Sequence, residues 1–170
     1  WDADLVIWPE FALTLYGAQA QKAIDFLGER GNSTRTNVVI VMPVFERLPD
    51  GGNSREYNIY NAGKGYGLAT GQFAKHHLVP FGEFVPMEDW LRGLIAFFDL
   101  PMSGLQKGNR DQNNITLVLS DPAGDKSHNA AADMEGSEVQ AALGICYEIA
   151  YGDSIRQRAV AAGLILTISN

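Results

Sequence analysis

Three side chains that could perform covalent catalysis, Glu10, Lys75 and Cys146, each stand where an apolar run gives way to a loop. Active-site residues collect at such strand ends, because loops there are held by a rigid scaffold. A thiol is mostly protonated at neutral pH, but a neighbouring ammonium favours the thiolate and a carboxylate can accept its proton. If the three segments converge, they form an activated cysteine nucleophile that needs no histidine.

Each of these residues also has a simpler interpretation. Glu10, after Trp8 and Pro9, could lie in the first turn of a helix, where the helix dipole favours a carboxylate. Lys75 could be an ordinary solvated lysine, and a single cysteine in an apolar strand is mostly core filling. Only the combination favours a site, so a non-catalytic binding module with a buried Cys146 remains an alternative.

Composition limits the classes of function. The 170-residue chain has a net charge of −7, a pI near 4.8 and 46% hydrophobic residues. At this length one folded domain buries roughly 70% of the surface that its unfolded chain exposes. The acidic balance argues against a nucleic-acid-binding surface, which would need clustered lysines and arginines. One cysteine excludes an intramolecular disulfide, and His76, His77 and His128 lack metal-ligand spacing, so we expect neither metal nor cofactor.

Alternating strands and helices must position the three residues, which predicts an α/β fold with a mixed sheet. A layered sandwich and a small doubly wound fold both fit this pattern. Strands are predicted over residues 4–8, 38–45, 115–119, 139–147 and 164–168, and helices over 18–30, 87–98 and 153–162, with Gly31 and Gly163 as stops. A hairpin is predicted from 55–62 and 66–75 around a turn at 63–65, a loop over 76–86 and a long connection over 120–137. The glycine-rich turn could also be a phosphate loop, but a hairpin explains it better.

Three segments around these residues resemble, in the same order, the signatures of the carbon-nitrogen hydrolase (nitrilase) superfamily. They are residues 7–11 (IWPEF), 75–86 (KHHLVPFGEFVP) and 144–148 (GICYE). The second and third segments, with residues 98–103 (FDLPMS), resemble the branch that N-acylates bacterial lipoproteins. The resemblance implies an α-β-β-α sandwich and transfer of a fatty acyl chain from a phospholipid, through a cysteine thioester, to the N-terminal cysteine amine of a diacylglyceryl-modified lipoprotein.

The resemblance also implies a role for each residue. Glu10 would be the general base, Cys146 the nucleophile, and Lys75 the cation that holds the thiolate and stabilises the oxyanion. Glu83 would be a further essential carboxylate that orients Lys75 or assists proton transfer, although it could be only a salt-bridged loop residue. Tyr147 and Glu148, which follow the proposed nucleophile, would shape the site rather than do chemistry.

The apolar stretch over residues 85–102 has two interpretations. An acyl chain gains roughly 0.8 kcal/mol for each buried CH₂, so a lipid-handling enzyme needs poorly covered apolar surface near its nucleophile. The stretch could equally be an amphipathic helix packed on the sandwich. The side chains expected to supply such a surface are Trp90, Leu94, Phe97 and Phe98.

We expect the sequence to be the middle of a catalytic domain, incomplete at both ends and without the transmembrane helices that resembling proteins carry. The longest apolar run, residues 159–166, is well short of the roughly 18 to 20 residues that cross a bilayer. The resemblance implies a bacterial inner-membrane enzyme whose catalytic domain faces the periplasm. A soluble amidase or nitrilase with the same Glu-Lys-Cys triad is the alternative enzyme, because the triad cannot distinguish water from an amine as the attacking group.

Overall fold

Strands dominate the fold. A computed structural model describes residues 1–13, 17–47, 57–84, 104–120 and 136–170. In chain order the elements of this part are β1 Leu5–Trp8, α1 Gly17–Ser33, β2 Asn37–Arg47, β3 Tyr57–Gly67, β4 Gln72–Ala74, β5 Ile115–Ser120, β6 Gly136–Ile145, a 3₁₀ turn Cys146–Ala150, α2 Gly152–Ala159 and β7 Leu164–Ile168.

The strands form two mixed sheets. The first has the order β1-β2-β3-β4, in which β1 and β2 are parallel and the other pairs antiparallel. The second has the order β5-β6-β7, with β5 and β6 antiparallel and β6 and β7 parallel. Two separate sheets exclude the doubly wound alternative, in which a single sheet runs through the domain.

Alternation along the strands builds four layers, because successive side chains point to opposite faces of a sheet. Val39 and Val41 of β2 lie in one core with Leu143 of β6, so the two sheets pack face to face. Val38 and Ile40 lie on the other face of β2, in a second core with residues of α1. On the outer face of the second sheet, α2 packs against β6. The order is therefore α-β-β-α, and the predicted α/β sandwich is confirmed.

The predicted hairpin exists, but its turn was misplaced. β3 runs unbroken through residues 63–65 and pairs with β2 along its whole length. The chain turns later, between Gly67 and Gln72, before β4 pairs back on β3. Gly63 serves packing instead: a Cβ there would come within 2.1 Å of Leu143. The phosphate-loop alternative fails for the same reason, because these residues are strand.

Other predicted boundaries shift slightly. α1 continues through Gly31, which allows close approach to β3 because a Cβ there would lie 2.9 Å from the Cα of Gly67. β1 is half-buried rather than buried, with Ile7 on the surface at the edge of its sheet. α2 ends at Ala159, three residues earlier than predicted. The helix predicted over 87–98 and most of the connection over 120–137 lie outside the described residues.

Candidate active site

Glu10 lies in a tight turn directly after β1. The amide of Ala12 donates to the carbonyl of Pro9 at 3.2 Å, and the amide of Phe11 donates to the carbonyl of Val41 at 3.1 Å, which ties the turn to β2. The Glu10 side chain is only 5% exposed. Because α1 begins at Gly17, the alternative that placed Glu10 in a first helical turn is wrong.

Lys75 follows β4 and is buried, with 1% of its surface exposed, so the solvated alternative is wrong. Its Nζ lies 2.8 Å from Oε1 of Glu83 and 3.8 Å from Oε1 of Glu10. A buried ammonium persists only when it is paired and hydrogen-bonded. The two glutamates, which are far apart in sequence, supply that pairing.

Glu83 is held from both sides. Its Oε2 accepts a hydrogen bond from the Val79 amide at 2.8 Å, and its own amide donates to the Val79 carbonyl at 2.9 Å. This closes the turn that begins at Pro80 and includes Phe81. Glu83 is indeed a salt-bridged loop residue, as the alternative has it, but its partner is Lys75. The structural and functional interpretations therefore describe the same contact.

Asn61 of β3 lies between the two glutamates and is fully buried. Its Nδ2 donates to Oε1 of Glu10 at 2.7 Å and to Oε1 of Glu83 at 3.1 Å. Its backbone carbonyl accepts from the Lys75 amide at 2.8 Å. Asn61 was not among the residues predicted for the site, because it lies within the first strand of the predicted hairpin. The signal available was an asparagine between Tyr60 and Ala62 in that strand.

Cys146 is the first residue after β6, whereas the strand predicted over residues 139–147 included it. It opens the 3₁₀ turn and is half-buried, with its side chain packed against the core between the sheets. Its φ of +54° is in the left-handed region, which costs roughly 1 to 3 kcal/mol for a residue with a Cβ.

Left-handed backbone recurs around these residues. Phe11 follows Glu10 with a φ of +55°, and Phe81 precedes Glu83 with a φ of +61°. Of the positive-φ residues other than glycine in the described part of the chain, only Arg35 lies away from these segments. Backbone strain of this kind clusters at functional sites, where the surrounding structure holds it in place.

Glu148 ties the lysine segment to the cysteine segment. Its Oε1 accepts from the amides of His76 and His77, at 2.8 and 3.1 Å, and its Oε2 accepts from the amide of Ile145 at 3.0 Å. The residue after Lys75 and the residue before Cys146 therefore bind the same carboxylate. Glu148 is 1% exposed and holds these two segments together through three main-chain contacts.

The remaining candidates have different placements. Tyr147 follows Cys146 and is 66% exposed. Trp90, Phe97 and Phe98 lie outside the described residues, as does Leu94. His77 stacks on Tyr151, with ring centroids 4.0 Å apart. Burial lowers the pKa of His77 from its ordinary value of 6.5, and the charge of the neighbouring His76 lowers it further.

The four-layered sandwich, with a buried glutamate and lysine pair beside a strained cysteine turn, is the arrangement expected of a carbon-nitrogen hydrolase domain. The model of the carbon-nitrogen hydrolase family matches residues 2–169, and the chain belongs to this family. The family resemblance inferred from the three sequence segments is thereby confirmed.

Two curated relatives of the chain share one name. Apolipoprotein N-acyltransferase of Pseudomonas paraeruginosa is 38% identical over 170 residues, covering 99% of this chain and 29% of that protein. The protein of the same name from Photobacterium profundum is 32% identical over 179 residues, covering 100% of this chain and 30% of its own length. The chain thus spans less than a third of the curated relatives that it matches.

A solved structure also resembles the chain weakly. Glutamine-dependent NAD⁺ synthetase from Acinetobacter baumannii, in complex with ADP, matches 99% of this chain and 26% of its own at 20% identity. The TM-score is 0.46.

Proposed function

We propose that this chain is the nucleophile-bearing part of an apolipoprotein N-acyltransferase. The observation that carries the proposal is the buried Lys75 ammonium between Glu10 and Glu83, joined through Glu148 to the backbone that precedes Cys146. Family membership supports the thiol chemistry, and the names of the relatives support the acyl transfer. The proposed triad is Glu10, Lys75 and Cys146.

In the first half-reaction the carboxylate of Glu10 takes the proton from the thiol of Cys146. The sulfur attacks the ester carbonyl carbon of a phospholipid, and the carbonyl electron pair moves onto oxygen. The Lys75 ammonium stabilises this oxyanion, and a single well-placed donor contributes about 100- to 1,000-fold in rate. Collapse breaks the carbon–oxygen ester bond, and the Glu10 acid returns its proton to the leaving lysophospholipid oxygen. The products are an acyl thioester and a lysophospholipid.

In the second half-reaction the N-terminal amine of a diacylglyceryl-modified lipoprotein attacks the thioester carbonyl. The carbon–nitrogen bond forms, Glu10 takes a proton from the amine, and the carbon–sulfur bond breaks. The thiolate of Cys146 then recovers the proton from Glu10, which regenerates the starting enzyme. Glu83 keeps the ammonium of Lys75 in place through both half-reactions. Of the two ion pairs of Lys75, the one with Glu83, at 2.8 Å, is the shorter.

The substrates set the surroundings that the reaction requires. We assign the enzyme to the bacterial inner membrane with its catalytic domain facing the periplasm, where a lipoprotein amine and a phospholipid meet. The apolar residues Trp90, Phe97 and Phe98 are proposed to cover the acyl chain. In the part of the chain that the structure describes, no helix is long and apolar enough to span a bilayer.

The test is intact-mass analysis of the full-length protein, purified in detergent and incubated with a phospholipid without acceptor. We expect a mass gain of one fatty acyl group, which hydroxylamine removes and which Cys146→Ser prevents. Serine preserves the size of the side chain but is a far weaker nucleophile, so the variant is a matched control.

Two outcomes would overturn the proposal. Hydrolysis of a short amide, with no acyl gain from phospholipid, would indicate an amidase. An unreactive Cys146 thiol, with neither gain nor hydrolysis, would indicate a binding module.

A further inference from the structure

Asn61 has an unusual set of contacts for a residue in the middle of a sheet. Its side chain is fully buried, and burying an amide is unfavourable unless its hydrogen bonds are satisfied. Both observed bonds of its Nδ2 go to glutamates of the proposed site. Its Oδ1 has no hydrogen-bond partner among the described residues. The buried amide of Asn61 therefore serves as a hydrogen-bond donor to the two carboxylates.

The four polar groups form a closed ring. Oε1 of Glu10 and Oε1 of Glu83 both accept from Asn61 Nδ2, at 2.7 and 3.1 Å, and the same two oxygens lie 3.8 and 2.8 Å from Lys75 Nζ. The amide orientation follows from this geometry, because a carbonyl oxygen aimed at two carboxylates would be repelled. Two carboxylates share one ammonium, so a second, neutral donor is needed to hold both.

Oε1 of Glu10 contacts the amide of Asn61 more closely than the ammonium of Lys75. It accepts a hydrogen bond from Asn61 Nδ2 at 2.7 Å, whereas Lys75 Nζ lies 3.8 Å away. The amide therefore fixes where Oε1 of Glu10 lies relative to Lys75.

We propose that Asn61 is a positioning residue that fixes the carboxylate of Glu10 and keeps Glu83 against Lys75. This inference rests on the proposed thioester chemistry and adds to it a residue that acts through the two glutamates. Without Asn61, the carboxylate of Glu10 keeps only its longer contact with Lys75, so acylation of Cys146 slows while binding of the acyl donor is unchanged.

The experiment compares the maximum rate and the half-saturating donor concentration for acylation of Cys146 in the full-length protein. Two acyl donors are used, a phospholipid and p-nitrophenyl butyrate, an activated ester that requires no lipid site. The acylated Cys146 peptide is quantified by mass spectrometry. The variants are Asn61→Ala, Asn61→Asp and the matched control Asn58→Ala, which removes the same side chain three residues earlier on the opposite face of β3.

For Asn61→Ala we expect the maximum acylation rate to fall about tenfold with either donor, at an unchanged half-saturating donor concentration. Asn61→Asp keeps the shape but places a third carboxylate beside two others, and should slow acylation on the order of 100-fold at neutral pH. Asn58→Ala should leave both the maximum rate and the half-saturating concentration unchanged. Thermal unfolding identifies any variant that fails to fold, and Asn61→Asp then carries the test.

An unchanged maximum rate in Asn61→Ala, or a fall in rate that only matches the loss of folded protein, would overturn the inference while the acyltransferase proposal stands. If the wild-type protein accepts only the activated ester, the acyltransferase proposal fails and the rate with that ester still decides the role of Asn61. If neither donor acylates Cys146, both proposals fall.

Discussion

At the scale of single residues, the candidate site depends on buried charge that the fold has to compensate. Lys75, Glu10 and Glu83 are all nearly inaccessible to solvent, and removing such groups from water costs several kcal/mol per ion unless each is paired. Two carboxylates and one ammonium leave an excess negative charge, which the amide of Asn61 partly offsets. Groups held in this way need little rearrangement before they react.

The main-chain contacts of Glu148 predict a loss of stability on its substitution. In Glu148→Gln an NH₂ group replaces one of the oxygens that accept from the amides of His76, His77 and Ile145. A buried donor then lacks its acceptor, and we expect a loss of about 2 to 3 kcal/mol and a lower thermal unfolding midpoint. Glu29→Gln, on the exposed face of α1, is the control and should leave the midpoint in place. An unchanged midpoint in both would contradict the bridging role of Glu148.

The lowered pKa of His77 predicts a loss of stability in mild acid. The folded state disfavours the protonated ring because of burial and the nearby His76, although Glu148 acts in the opposite sense. The unfolded chain therefore binds more protons as the pH falls through about 6.5, and the protein loses stability from there down to the folded pKa.

Replacing His77 with phenylalanine keeps a ring to stack on Tyr151 but removes the titration. In His77→Phe the thermal midpoint should fall less between pH 7.5 and 5.5 than in the wild-type protein. His128→Phe controls for the substitution elsewhere in the chain. Equal pH dependence in all three proteins would exclude His77 as the cause.

At the scale of elements, close contacts between α1, β3 and the loop before β2 depend on residues without a Cβ. Gly67, at the end of β3, has a φ of +65°, and a Cβ there would lie 2.4 Å from the carbonyl oxygen of Thr36. The same Cβ would lie 2.9 Å from the Cα of Gly31. Both obstacles are backbone atoms, which cannot move aside as a flexible side chain can.

Gly67→Ala should therefore destabilise the protein by about 2 to 4 kcal/mol, because steric overlap adds to an unfavourable φ. Gly28 lies in α1, where a Cβ would meet nothing within 4 Å. Gly28→Ala should stabilise by up to about 1 kcal/mol, since alanine favours the helix. Thermal unfolding of both variants measures the contrast. Similar effects from the two substitutions would refute the packing argument.

At the scale of the whole molecule, the two sheets are joined by polar contacts as well as by the apolar core. The buried Asn37 of β2 donates to the carbonyls of Asp4 and Val118 and accepts from the Val118 amide, at 2.8, 2.7 and 2.9 Å. The backbones of Thr70 and Thr116 form a reciprocal pair of hydrogen bonds at 2.9 and 3.0 Å. These contacts fix how one sheet lies on the other.

Asn37→Ala removes the side-chain link between the sheets and leaves main-chain groups of Val118 without a partner. We expect the amide of Val118 to lose protection in hydrogen exchange, with a destabilisation of about 2 to 4 kcal/mol. Asn32→Ala, at an exposed position of α1, should leave protection at Val118 unchanged. Unaltered exchange in Asn37→Ala would show that the apolar core alone sets the relation between the sheets.

The sequence by itself determined the types of element, the candidate chemistry and the family. Apolar runs around residues 38–45, 115–119 and 164–168 appear as strands, because strong short-range patterns are local properties of the chain. The segments around Glu10, Lys75 and Cys146 carried the family resemblance because their residue types are set by chemistry. Tertiary packing does not have to be known for either inference.

Only the tertiary structure shows which of these residues contact one another. Gly63 and Gly65 look like a turn locally, but β3 continues through them, and Leu143 at Gly63 and Ala69 at Gly65 leave no room for a Cβ. Asn61 looks like an ordinary polar strand residue, and only the approach of Glu10 and Glu83 reveals what it binds. Such contacts join residues 22 and 51 positions apart, and no short-range pattern specifies them.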